Sequence, residues 1–217
     1  MIREAKSSIS PSSLSACKRY DGQDVVDQLF ADHHGKCYLC ELKVTRYYEV
    51  EHLKSKENHP EFKYEWTNLF LSDRYCNGKK SKHFDNILNP NTNNIEEIIE
   101  QRINSKNREA LFQTKNTSAE AQKTIDLLNR LFNGTNVPKV SKLRKKRENE
   151  FYKDVEKIIN AFNMTLLDYV SNPNLDTEKA VRDELSIDKE LLGFKYWIIK
   201  DNPELLKVFA NDIIWNK

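Results

Sequence analysis

Apolar and polar positions along the chain fall into three regimes. In residues 1–35, six serines (Ser7, Ser8, Ser10, Ser12, Ser13 and Ser15) surround Pro11 with little apolar patterning, which predicts an irregular lead-in. Val25, Val26, Leu29 and Phe30 then share one helical face, a short amphipathic helix that Gly35 stops. In residues 36–90 the helical period disappears. Tyr47–His52 and Asn68–Leu71 read as strands, a polar loop with Pro60 separates them, and a Lys-rich helix begins near Asp73. From residue 91 onward helical stripes return. Ile95, Ile98, Ile99 and Ile103 form one, and Ile125, Leu128, Leu131 and Phe132 another, stopped at Asn133-Gly134. Val140, Leu143, Phe151, Val155, Ile158, Ile159 and Phe162 mark a long helix, Asp176 is placed to cap a helix over 177–185, and Asn202-Pro203 opens a last one ending near Trp215. The expected class is α+β, mostly helical: a lead-in (1–35), a small ββα unit (36–90) and an α-helical region (91–217).

Composition narrows the function classes. The 217 residues are 31% charged, 38% hydrophobic and 10% aromatic, enough apolar material for a core. No apolar run approaches the roughly 18 residues of a membrane span, since Leu191–Ile199 is broken by Lys195. The first residues lack the apolar core of a secretory signal, and the expected location is a reducing cytoplasm. Net charge is only +2, so any nucleic-acid contact must come from local patches. One such patch is Lys139, Lys142, Arg144, Lys145, Lys146 and Arg147, a run without an acid that reads equally as a solvated helix start or a backbone-binding surface. The aromatic-rich segment Leu191–Trp215 reads as core or partner surface.

The chemistry concentrates between Cys37 and Lys80. Cys37 and Cys40 have the spacing that lets two thiolates face one tetrahedral Zn²⁺ from a tight turn; a redox pair or two core thiols are the plainer readings. Cys17 reads as an isolated thiol. Glu51-His52 ends the first strand, Asn68 opens the second, and Asp73, Cys76, Asn77 and Lys80 follow Asn68 by five, eight, nine and twelve residues. That order resembles the HNH endonuclease motif. The resemblance implies a ββα-metal fold in which His52 is the general base for phosphodiester hydrolysis and Glu51 and Asn77 hold one metal ion. Oxygen ligands of that kind suit Mg²⁺ or Mn²⁺. By the same resemblance, Asn68 orients His52 or braces the loop, and Lys79, Lys80 and Lys82 face nucleic-acid phosphates, where a solvated helix face is the alternative. A structural zinc is expected on Cys37, Cys40 and Cys76. The family's fourth cysteine is Asp73 here, so either Asp73 or His83 completes the site, or zinc is absent.

Further residues carry the resemblance beyond the motif: His34-Gly35-Lys36-Cys37-Tyr38-Leu39-Cys40-Glu41, Val50-Glu51-His52-Leu53-Lys54-Ser55-Lys56, Tyr64-Glu65-Trp66-Thr67-Asn68-Leu69 and Cys76-Asn77-Gly78-Lys79-Lys80. Together they are similar to the HNH subunit family of Septu anti-phage systems, including retron-associated forms. Leu53 and Ser55 depart from that family's Phe and Pro, and the similarity runs weakly to residue 132. It implies a nuclease effector, DNA favoured as substrate, working beside an ABC/SMC-type ATPase, in some systems with a retron reverse transcriptase and its RNA–DNA hybrid. An RNA-directed nuclease (of tRNA, for example) and an inert zinc-knuckle adaptor are the alternatives.

Overall fold

In the computed structural model, residues 1–16, 19–134 and 142–215 are described; Cys17, Lys139 and Val140 lie outside them. The lead-in holds one turn of helix, α1 (Ser12–Ser15), and the expected amphipathic helix, α2 (Gln23–Asp32), whose Val25, Val26 and Leu29 are buried. Strands β1 (Tyr48–His52) and β2 (Leu69–Asp73) pair antiparallel, from Tyr48 opposite Asp73 to His52 opposite Leu69. Helix α3 (Arg74–Lys80) follows immediately, with the Asp73 carboxylate accepting the Tyr75 N–H as its N-cap.

Successive side chains on a strand point to opposite faces. Glu49 and Glu51 therefore face α3, whereas Tyr48 and His52 face the lead-in, where Phe30 and Tyr20 meet them edge-on. The hairpin sits between a helix on one side and the N-terminal segment on the other, and both faces are covered.

The region after residue 91 is less helical than its stripes predict. Only Ile95–Ile98 is helix (α4); the chain then enters a second antiparallel hairpin, β3 (Glu100–Asn104) and β4 (Glu109–Gln113). The helical spacing of the isoleucines was misleading because Gln101, a polar residue at a fully buried strand position, has its partners far away: it accepts from the Met1 ammonium and donates to the Met1 carbonyl. Helices α5 (Ala119–Phe132), α6 (Lys142–Ser171), α7 (Leu175–Glu184), α8 (Leu192–Lys200) and α9 (Pro203–Phe209) complete the described chain. The cap of α7 is Asn174, in a reciprocal capping box with Thr177, rather than Asp176; Asn202 caps α9 as expected, but α9 ends at Phe209.

One apolar cluster joins all three segments of the chain, from Met1, Leu14 and Leu29 through Tyr38, Phe70 and Leu71 to Leu128, Phe132 and Phe194. A second gathers Phe162, Val181, Leu185, Tyr196, Leu205, Phe209 and Ile213. The apolar face of the Leu191–Trp215 segment is thus core: Leu191, Phe194 and Ile199 are buried, and the Trp215 indole N–H donates to the Leu185 carbonyl. No helix among the described residues is long and apolar enough to cross a membrane.

Candidate functional site

Cys37 and Cys40 lie in the turn after α2, and Cys76 lies on α3. Packing α3 against the hairpin brings the three thiols together: all are reduced and buried, with Sγ atoms within 4.8 Å of one another. A tetrahedral zinc with Zn–S of about 2.3 Å needs S···S separations of about 3.8 Å, so a small contraction fits the ion. Burial opposes ionisation of Cys37, but hydrogen bonds from the Cys40 and Cys76 thiols bring its pKa well below the ordinary thiol range. Cys40 and Cys76 are correspondingly pushed up, each first by the Cys37 sulfur. Three converging sulfurs are a soft donor set, and they could hold a metal ion such as zinc. Asp73 is not in the group. Its carboxylate turns to the α3 N-terminus, and burial raises its pKa. His83 is exposed beyond α3 and is not in it either.

At the far end of the hairpin, His52 is nearly buried. Its Nε2 lies 3.0 Å from the Lys63 carbonyl, and because a carbonyl only accepts, Nε2 carries the proton and Nδ1 keeps the lone pair. Burial lowers its pKa to about 4, so the ring is neutral near pH 7. Tyr20 meets the ring edge-on at 4.8 Å.

Glu51, the preceding residue, projects from the same end of the hairpin toward α3. Its Oε1 is 3.0 Å from the Lys80 ammonium, while Oε2 is buried without a hydrogen-bond partner. Burial pushes this carboxyl up to about 7 despite Lys80. A cation at Oε2 would both satisfy the orphaned oxygen and restore the charged form. Asn77, one turn before Lys80 on α3, donates from Nδ2 to Glu49, which leaves its Oδ1 as an acceptor. The oxygen donors therefore suit a hard divalent ion, although Glu51 and Asn77 are each engaged with a different neighbour.

Asn68 braces the loop. Its Oδ1 accepts the Lys54 N–H at 2.8 Å and its Nδ2 donates to the Lys54 and Phe62 carbonyls, closing the loop that carries the Lys63 carbonyl to His52. Asp85, which the motif did not single out, holds the same loop from its other side through Ser55 and Asn58.

The lysines differ from expectation. Lys80 is fully buried and donates to the His52 carbonyl at 2.9 Å and to Glu51; its charge serves the hairpin rather than a solvent-facing phosphate. Lys79 is also buried and pairs with Glu148 of α6 at 2.5 Å. Lys82 is exposed, 2.9 Å from Glu57. Each sits beside an acid, which a lysine-rich stretch of sequence does not reveal. On α6 itself, Lys142, Lys145, Lys146 and Arg147 are exposed. The Tyr75–Phe151 ring contact and the Lys79–Glu148 pair run α6 antiparallel to α3, so these cations extend past the α3 C-terminus.

No protein-family profile matches the chain. It is 38% identical over 63 residues to the Septu protein PtuB of Bacillus thuringiensis, a match covering 26% of this chain and 24% of PtuB. The matched stretch thus spans about a quarter of that relative's length. This weak, partial similarity supports a relation to Septu defence proteins.

Proposed function

We propose that this chain is a metal-dependent nuclease of the HNH type, with a ββα-metal unit in residues 36–90, acting in a bacterial anti-phage system of the Septu kind. The observation that carries the reading is the neutral His52, its Nε2–H tied to the Lys63 carbonyl and its Nδ1 left as a base, adjacent in sequence to a carboxylate with an open buried oxygen. Hydrolysis of a phosphodiester needs a base for water, stabilised charge on phosphorus and help for the leaving alkoxide. His52 Nδ1 takes the water proton; the Lys63 carbonyl fixes the tautomer and favours the imidazolium that forms. Glu51 and Asn77 would hold Mg²⁺ or Mn²⁺, which supplies Lewis-acid stabilisation of the phosphoryl charge. Asn68 is a positioning residue for the loop, and Lys80 for the Glu51–His52 step. Zinc on Cys37, Cys40 and Cys76 would pin the turn after α2 to α3. Segments 1–35 and 91–217 pack into the same core as the unit and are proposed as its support and partner-binding parts, with an ABC/SMC-type ATPase as the proposed partner and, in retron-associated systems, the reverse transcriptase with its hybrid.

A second reading, an inert zinc-knuckle adaptor, is favoured by the Glu51–Lys80 pair, which gives Glu51 a cation without any metal. One experiment separates them. Purified chain, alone and with its operon ATPase, is incubated with DNA and RNA in Mg²⁺ or Mn²⁺. The nuclease reading expects cleavage that His52→Ala reduces on the order of 10²–10⁴-fold. Cleavage unaffected by this change removes His52 from the mechanism, and no cleavage of either polymer in the complex leaves the adaptor.

A further inference from the structure

Two lysines that share the Tyr20 ring with His52 lie outside α3 and, among the described residues, lack an acidic partner. Lys56 and Lys63 flank the loop that Asn68 and Asp85 clamp, and neither is in an ion pair among the described residues, whereas Lys79, Lys80 and Lys82 each are. Both lysines gather on one ring. The Lys56 ammonium donates to the Tyr20 hydroxyl at 2.6 Å and lies 4.5 Å from the ring centroid; that of Lys63 lies between two rings, 5.9 Å from the same centroid and 4.9 Å from that of Tyr64. Tyr20 in turn touches His52 edge-on, so the ammonium groups stand one aromatic ring away from the proposed base. Lys56 is exposed and Lys63 half-buried, open to an incoming anion.

Gathering two like charges around the Tyr20 ring has an electrostatic cost that an anion would offset, and the clamped loop holds the backbone that carries both lysines. Lys63 has two separable parts here: its carbonyl serves His52 while its ammonium is free for other work. We propose that Lys56 and Lys63, arrayed on Tyr20, form a seat for a backbone phosphate of a polynucleotide next to the phosphate at His52. The seat deepens the nuclease reading and rests on it. Contacts of this kind set register on the strand and carry no base preference.

The test uses full-length chain carrying His52→Ala, so that binding is measured without turnover, with single-stranded DNA and RNA oligonucleotides of matched mixed sequence titrated by fluorescence anisotropy across a salt series. Adding Lys56→Gln and Lys63→Gln is expected to weaken binding about tenfold at low salt and to flatten the log–log salt slope by roughly 0.7 per lost phosphate contact. Lys115→Gln, on an exposed residue elsewhere, leaves both unchanged, and Lys→Arg at both positions restores them because charge is kept. Affinity and slope unchanged in the double Gln variant, or no binding of either polymer, overturns it, and so does binding only to an acidic protein such as poly-glutamate. The cleavage assay with His52→Ala alone reports on the nuclease reading separately: normal cleavage by that variant defeats the mechanism, and an unchanged salt slope defeats only the seat.

Discussion

Two imidazoles in this protein are held neutral by burial, for different ends. His52 keeps Nδ1 available at the hairpin end, whereas His33 is wholly enclosed, its Nδ1 accepting the Leu71 N–H at 3.2 Å and its Nε2 without a partner. Burial lowers the His33 pKa from 6.5 to about 3. A depressed folded-state pKa means that the unfolded chain binds a proton between those values and the native chain does not, so the contribution is complete above pH 6.5 and is lost as pH falls toward 3. Replacing His33 by Gln, which keeps an acceptor for Leu71, should therefore flatten the acid limb of stability. Between pH 7 and pH 5 the wild type should lose about 2 kcal/mol more than the variant in urea denaturation. Parallel losses in the two proteins would mean that His33 is charged or mobile in the native state. At this scale the sequence revealed residue types but not their partners. Glu51, His52, Asn68 and Asn77 are recognisable by spacing. The Lys63 carbonyl is not, because a backbone group has no residue signature, and Tyr20 sits in a segment with no pattern at all.

The elements themselves were legible where a local rule governs them. Helix α2, the alternation of β1, the start of α3 near Asp73 and the Asn202 cap all follow from periodicity or capping chemistry, and each is present. Strand β3 was hidden because its buried Gln101 is satisfied by Met1, and α8 because a helix buried on most sides has no stripe to read. The turn bearing Cys37 and Cys40 and helix α3 bearing Cys76 form one unit if metal joins them. Purified protein should then carry about one zinc per chain, and Cys37→Ser should lose it at a cost on the order of 3 kcal/mol, or roughly 6–12 °C in Tm. Metal analysis by mass spectrometry beside a thermal melt checks this; a zinc-free protein whose Cys37→Ser variant melts normally would leave the three sulfurs as core thiols.

For the molecule as a whole, the second apolar cluster depends on the last elements. Ending the chain before Asn202 strips Leu205, Phe209 and Ile213 from Phe162, Val181 and Leu185. At about 1.5–3 kcal/mol for each buried side chain, the loss is comparable with the roughly 5–15 kcal/mol that keeps a typical domain folded. The truncated protein is expected to aggregate or to bind a hydrophobic dye strongly, read by gel filtration and dye fluorescence. A monodisperse product with the wild-type melting temperature would show that this cluster is dispensable.

Lys36, at the threshold of the cysteine turn, is fully buried, and its ammonium is satisfied by the carbonyls of Ile187 at 2.5 Å and Lys189 at 3.0 Å; immediately after Cys40, Glu41 accepts the Gly193 N–H. These partners leave the ribosome some 150 residues later, roughly 8–30 s at ordinary rates of synthesis. Through that interval the cysteine turn has the contacts of the early chain, among them the Met1 ammonium on Glu41, but not those made by residues 187–193. Translation order thus becomes a timer: a chain cut short before residue 187 lacks the Ile187, Lys189 and Gly193 contacts that tie this turn to the C-terminal region.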